Sequence, residues 1–290
     1  MTVPEYVVTF EAATRPLVTA IALGLIWIGA TRMEGPTQSR YATAGVLSVV
    51  LVAWLAVAQY LGSANAYFAT SENAVPTVLS GLLIPLITAA VGLRLSGRIA
   101  SLVSAIPLHW IVAAQVYRIG GGIFLVLWAD GRMPWQFALP AGIGDVMTGC
   151  FAVVVAVLLA QKAPGALRAA YGWCLFGIAD LVVALTMGAM TSPGRAHLLA
   201  FDAPNLLISS YPLVMVPTFA VPLALMLHGL VLWRLRRESA STGRLAAAQS
   251  ACLINDRRGA ARCRPRPTID HEVFDRLEPS TASGFESSEK

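Results

Sequence analysis

Three ionisable side chains stand inside long apolar stretches of the chain: Arg118, Asp145 and Asp180. Placing such a group in the hydrocarbon core of a membrane costs about 2.5–3.5 kcal/mol even on the gentler insertion scale. One guanidinium and two carboxylates leave a surplus negative charge, which in a low dielectric is balanced by a proton or a bound cation. These residue types predict a site for a proton or a small solute. The alternative is an ion pair that only fixes the packing of helices.

The three side chains are predicted to lie at one depth. The midpoint between Arg118 and Asp145 falls between positions 131 and 132, in the polar link that joins their two apolar stretches. In an antiparallel hairpin, both residues then lie roughly 16–20 Å from that link, at 1.5 Å per residue. Asp180 precedes Met190, at the end of the next stretch, by ten positions. The spacing therefore predicts one buried charged cluster.

Three further polar residues within the apolar stretches are secondary candidates: His109, Gln115 and His228. Histidines on two helices can ligate haem, but His109 and His228 have no second pair, and both are expected near inner helix ends. A helix-end imidazole is favoured over a haem ligand. The cysteines and histidines form no metal-ligand motif. The sequence therefore predicts neither a metal nor a cofactor.

The composition identifies the environment of this cluster. Of 290 residues, 56% are hydrophobic and only 13% are charged, and the mean hydropathy is +0.65. Soluble chains carry about 25% charged residues. These values exclude a water-soluble globule, a disordered protein and a disulfide scaffold. They predict a multi-pass membrane protein, whose first partner is the lipid bilayer.

Seven apolar stretches approach the roughly 20 residues that a membrane-crossing helix needs. The predicted fold is therefore all-α, a bundle of about seven transmembrane helices, with six or eight as the alternatives. A short helix over Arg98–Ser104 is expected between the third and fourth. The seven stretches are Pro16–Thr31 (extended backwards towards Val7), Tyr41–Leu61, Pro76–Leu95, Ala105–Trp128, Phe137–Ala160, Ala169–Met190 and Tyr211–Leu232.

The basic residues predict the orientation. Nine Lys and Arg residues lie in the links on one side of the predicted bundle, and three lie on the other: Arg15, Arg132 and Arg195. Because cytoplasmic links retain the basic excess, the N-terminus is expected outside and the C-terminus inside. The same distribution explains the net charge of +5. Without a recognition motif, the charge predicts no nucleic-acid partner.

The chain divides into a transmembrane bundle, residues 1–237, and a polar tail, residues 238–290. The tail holds eight basic and eight acidic residues and is rich in Ser, Ala, Arg and Pro. Such a composition cannot build a core, so the tail is expected to be a disordered cytoplasmic segment.

One short motif resembles that of an enzyme class. Gly142-Ile143-Gly144-Asp145 reads GxGD, which is similar to the motif of intramembrane aspartyl proteases. Their chemistry needs two carboxyls that share a proton, and Asp180 would supply the second. In that family, however, the partner aspartate precedes the motif, whereas Asp180 follows it, and the position on the preceding helix holds Arg118. Signatures of serine and metal hydrolases are absent, and the sequence favours a protein that is not an enzyme.

Longer stretches, within about residues 99–232, resemble a widespread family of uncharacterised bacterial multi-pass membrane proteins. The resemblance implies a bacterial inner-membrane location and no particular activity. The stretches are Ile106–Trp110, Gln115–Arg118, Phe137–Asp145, Gly177–Val182 and Tyr211–Phe219.

The functional prediction is small-solute or proton-linked transport or sensing through the charged cluster. The alternatives are a structural or assembly membrane protein with a packing-only ion pair, and an intramembrane aspartyl hydrolase. Nothing in the sequence indicates an oligomeric state.

Overall fold

The computed structural model describes residues 3–68 and 74–237, and within them it contains eight helices and no strand. The predicted tail, residues 238–290, lies outside the described residues. The helices are α1 (Glu5–Arg32), α2 (Thr37–Ser63), α3 (Ala74–Leu95), α4 (Gly97–Ala105), α5 (Leu108–Ala129), α6 (Trp135–Ala160), α7 (Ala166–Thr191) and α8 (Val216–Arg237).

Within the described residues, seven of these helices are long and apolar enough to cross a membrane, as predicted; the short α4 is the exception. Helix α1 begins at Glu5, close to the predicted extension towards Val7, so Arg15 lies inside the helix and not in an outer link. Helix α8 begins at Val216, five residues later than the predicted start at Tyr211. Residues 211–214 form turns, and Tyr211 precedes a proline, a position that disfavours the helical backbone.

The short helix α4 has a defined end at each side. The Ser96 hydroxyl accepts a hydrogen bond from the Ile99 amide at 3.3 Å and so caps the first turn. At the other end, Arg234 Nη1 of α8 donates to the carbonyls of Ser104 (2.6 Å) and Ile106 (2.8 Å). These contacts tie α4 to the last helix through carbonyls at and just beyond its C-terminal end.

A polar layer separates two apolar clusters in the bundle. Along α5, the buried residues Leu108, Ile111, Val112 and Ala114 belong to one cluster and Phe124 and Leu127 to the other, with Arg118 between them. Along α6 the order is reversed, because the helix runs the opposite way, and Asp145 lies between the two. The antiparallel arrangement therefore places both charges at one level.

Two helices depart from regular α geometry next to this layer. Residues Ala114–Gly122 of α5 form a 3-10 helix, and residues Val216–Ala220 of α8 form a π-helix. Runs of 3-10 helix longer than three or four residues are uncommon, and π turns occur frequently at functional sites. Both irregular segments contribute to the site described below.

Candidate functional site

Arg118 joins three helices at the centre of the polar layer. Its Nε donates to Asp145 Oδ1 at 2.7 Å, and its Nη2 lies 2.6 Å from the same oxygen and also donates to Asp180 Oδ2. Its Nη1 lies 3.3 Å from both the Gly177 carbonyl oxygen and His228 Nε2. The structure thus brings the three charged residues predicted from the sequence into direct contact.

The Asp180 side of the guanidinium is closed. The Asp180 residue is 8% exposed, and a Cβ atom at Gly144 would overlap its carboxylate. At Gly177, a Cβ atom would come within 2.5 Å of His228 Nε2. Glycines at these two positions are therefore what allows α6, α7 and α8 to close around the charges.

His228 belongs to this closed side, which corrects the prediction that it lies near the inner end of its helix. The correction follows from the later start and end of α8, which put His228 in the middle of the helix. The ring is fully buried and packs on Trp173 with centroids 4.8 Å apart. Because Nε2 faces an Arg118 N–H, Nε2 is the acceptor and the ring hydrogen is on Nδ1. Nδ1 has no partner among the described residues.

The Asp145 side is more open. Its side chain is 15% exposed and lines two cavities, of about 70 and 160 Å³. A Cβ atom at Gly121 would overlap the Asp145 carboxylate, so the glycine makes room for it. Asp145 is therefore the carboxylate of the cluster that borders both cavities.

The smaller cavity contains charged groups that the sequence analysis did not place in the site. Glu11 and Arg15 of α1 line it together with Arg118 and Asp145. Glu11 is 3% exposed, and Arg15 donates to the Tyr211 hydroxyl at 3.0 Å. A signal was available: the two residues are four positions apart, which is the spacing of an ion pair on one helix face. The sequence analysis missed them because it counts Arg15 with an outer link.

The larger cavity is almost entirely apolar. It lies between α3 and α5–α8, and apart from Asp145 its polar lining residues are Ser192 and Ser209. Its volume is close to that of the engineered, dry cavities in soluble proteins that take up benzene. Asp145 thus borders one cavity that also contains other charged side chains and one that is almost entirely apolar.

The 3-10 helix explains how α5 presents its polar residues. Side chains three positions apart eclipse one another in this geometry, so Gln115, Arg118 and Gly121 share one face. Gln115 is fully buried there and donates to the Ala224 carbonyl at 3.0 Å. Val116 and Ile119 are also three apart, and both are exposed on the outside. This period of three is visible in the sequence.

His109 does not join the cluster. It lies in the first turn of α5, nine residues before Arg118, which separates them by about 14 Å along the axis. Its ring contacts Trp110 of the same turn, with centroids 5.8 Å apart. Since His228 contacts Arg118, the two histidines are too far apart to hold one haem between them.

The chemistry available here is the binding and release of a proton or a small polar group. Among the described residues, no group of three His, Cys, Asp or Glu side chains could hold a metal ion. Asp145 and Asp180 do not form a dyad that shares one proton, because the Arg118 Nη2 group binds both. An aspartyl protease requires such a dyad.

An all-helical bundle with seven apolar helices and a charged layer at its centre is consistent with a multi-pass membrane protein. Residues 75–236 match the model of DUF8737, a domain of unknown function, which covers more than half of the chain. The chain therefore belongs to the DUF8737 family. The match begins earlier than the resemblance predicted from residues 99–232, and it includes α3. Comparisons with curated proteins and with solved structures gave no match.

Proposed function

We propose that this protein is a membrane transporter or sensor in which protonation of the Arg118–Asp145–Asp180 cluster is coupled to a small solute. The observation that carries the proposal is the position of Asp145. Its Oδ1 is held by Arg118, yet its side chain lines two cavities of different character. A carboxyl whose only role is to fix helix packing does not need to border a cavity.

The charge balance of the cluster supports a proton as one ligand. One guanidinium and two carboxylates carry a net charge of −1 when all are ionised, and one proton makes the cluster neutral. Charged groups within a membrane bundle commonly mark ion pathways and proton relays. Asp145 is the group in this cluster at which a proton can enter from a cavity.

The structural alternative has one observation in its favour. Every nitrogen of the Arg118 guanidinium faces an acceptor on α6, α7 or α8, as expected of a residue that fixes helix packing. The hydrolase alternative has less support, because the guanidinium lies between the two aspartates.

The orientation proposed is N-terminus out and C-terminus in, within a bacterial inner membrane. Arg15 lies in the body of α1, where it contacts Glu11 and Tyr211, and is no longer counted with an outer link. The basic residues then divide nine to two between the two sides. This larger difference supports the proposed orientation. Labelling of single introduced cysteines at Arg132 and Lys162 in sealed vesicles tests it: the first must react from outside and the second must not.

Proton binding by the purified protein in lipid nanodiscs tests the function. An indicator dye measures the protons taken up between about pH 9 and pH 4. We expect Asp145→Asn to bind about one proton fewer than the wild type, whereas Arg132→Gln, in an exposed link, leaves the count unchanged. Equal counts in the wild type and Asp145→Asn, with both folded, would support the structural alternative.

Proton flux into liposomes then separates transport from sensing. A transporter must acidify the lumen under an imposed potential, and Asp145→Asn must abolish this flux. A sensor binds the proton without flux.

A further inference from the structure

We propose that Glu11 is a second proton-exchanging carboxyl, and that water in the 70 Å³ cavity carries protons between Glu11 and Asp145. The inference rests on the proposed function and extends it to α1. The ligand class it assigns to this cavity is the proton with its water, whereas an organic solute would have to use the other cavity.

The burial and partners of Glu11 are unusual for a glutamate. The residue is 97% buried, and within residues 3–68 and 74–237 its carboxylate has a single ionic partner, Arg15, with Nε 3.9 Å from Oε2. That separation is too long for a hydrogen bond. The Arg15 guanidinium donates instead to the Glu11 backbone carbonyl at 3.0 Å and to the Tyr211 hydroxyl at 3.0 Å. Glu11 thus lines the cavity, and no side chain or backbone group among the described residues hydrogen-bonds directly to its carboxylate.

The packing of α1 on α5 holds Glu11 at this place. A Cβ atom at Gly120 would lie 3.1 Å from the Phe10 ring and 4.0 Å from the Thr14 methyl group. The glycine therefore lets α1 approach the 3-10 segment closely, with Phe10 and Thr14 on either side of Glu11 in the contact. Because Gly121 makes the same room for Asp145, two adjacent glycines place two carboxylates on one cavity.

The titratable and charged groups near Glu11 come from α1, α5, α6 and the segment before α8, whereas α7 and α8 add apolar residues to the cavity lining. They are Arg15 from α1, Tyr117 and Arg118 from α5, Asp145 from α6, and the Tyr211 hydroxyl bound to Arg15. Tyr117 is fixed by its bond to the Ala220 carbonyl at 3.0 Å. Two cations and two anions line the cavity, and Asp180, bound to the same Arg118, adds a third carboxylate, so one proton held by these carboxyls makes the whole group neutral.

The volume of the cavity fits water better than an organic solute. About 70 Å³ holds roughly two waters at about 30 Å³ each, and the charged side chains in an otherwise mostly apolar lining give them hydrogen-bond partners. The transfer is then balanced without any redox step. The Glu11 carboxylic O–H gives its proton to water, the water releases a proton to Asp145, and one carboxylate is regenerated at Glu11. Asp145 Oδ1 is bound by Arg118, so Oδ2 takes the proton.

Infrared difference spectroscopy of the full chain in nanodiscs tests the inference, because a protonated carboxyl has its own C=O stretching band. We expect two such bands to appear as the pH falls, both shifted in D₂O because water reaches them. Glu11→Gln must remove one band and move the midpoint of the other by on the order of one pH unit. Glu5→Gln, on the exposed start of the same helix, must change neither.

Two further variants keep the test decisive if Glu11→Gln fails to fold. Glu11→Asp retains the carboxyl and must keep both bands with a shifted midpoint. Ala220→Leu, which adds bulk to the lining of the cavity, must keep both bands but remove their coupling and slow the D₂O shift. If none of these substitutions shifts the pH midpoint of either band, the inference is overturned.

The outcomes separate this inference from the proposed function. Suppose that Asp145→Asn removes a band, whereas Glu11→Gln, like Glu5→Gln, changes neither band. Proton binding at the cluster is then supported, and the proposed role of Glu11 is wrong. If Asp145→Asn removes no band, the proposed function fails, and the inference fails with it.

Discussion

The two sides of Arg118 differ in how completely they exclude other groups. On the sealed side, defined by Asp180, the Gly177 carbonyl and His228, neighbouring glycines leave no space for a further atom. On the open side, defined by Asp145 and Glu11, both residues line a 70 Å³ cavity. The same guanidinium thus meets one carboxylate in a closed contact and another at the edge of a cavity.

This difference separates stability from function within a single cluster. A buried polar atom that loses its hydrogen-bond partner destabilises the fold by its full desolvation free energy. An atom beside a cavity can bind water instead, so the loss is smaller. Substitutions on the sealed side should therefore lower the free energy of unfolding most. Substitutions on the open side should alter proton binding at a smaller cost in stability.

The largest loss of stability is expected for Arg118→Gln, because Arg118 contacts both the sealed and the open side. It leaves two buried carboxylates without their cation and should lower the free energy of unfolding by about 3–5 kcal/mol, measured by thermal unfolding in bicelles. The double variant with Asp145→Asn should lose less than the sum of the two single changes, by about 0.5–3 kcal/mol. Additive losses would mean that the pair does not interact.

Gly177→Ala should follow, because its Cβ atom would collide with the His228 ring on the sealed side. Overpacking of this kind costs about 1–3 kcal/mol. Gly172→Ala is the matched control, since it lies on the same helix and its Cβ atom would meet nothing within 4 Å. If the two variants unfold at the same temperature, the sealed side has more room than the structure gives it.

Asp180→Asn and Asp145→Asn compare the two sides directly. The asparagine amide at position 180 faces a guanidinium donor in a closed space, whereas at position 145 water from the cavity can pair with it. We expect Asp180→Asn to be the less stable variant by about 1 kcal/mol. Asp145→Asn should cause the larger loss of proton binding. The reverse order in unfolding measurements would contradict the division into sealed and open sides.

The smallest effect is expected for His228→Phe. The change removes one contact with Arg118 but also removes the buried Nδ1 group that has no described partner, and the phenyl ring can still pack on Trp173. The net change in the free energy of unfolding should stay within about 1 kcal/mol. Tryptophan fluorescence reports whether the ring contact survives. A loss as large as that of Arg118→Gln would show that His228 is an essential member of the sealed side.

The sequence by itself determined the class of fold and the depth of the cluster. Hydropathy and length identify seven apolar helices, because crossing a bilayer depends only on how many apolar residues follow one another. Depth follows from counting residues along antiparallel helices, which is why Arg118, Asp145 and Asp180 were predicted to lie together. Neither inference depends on how a helix is rotated about its axis.

Only the tertiary structure decided which other groups reach the cluster. Glu11 and Arg15 line the cavity because α1 packs on Gly120, and His228 of α8 contacts Arg118. The 3-10 segment of α5 aligns Gln115, Arg118 and Gly121 along one face. The rotation of each helix about its axis, its local geometry and its close approach at glycines depend on the neighbouring helices. They therefore cannot be predicted from the hydropathy of one segment.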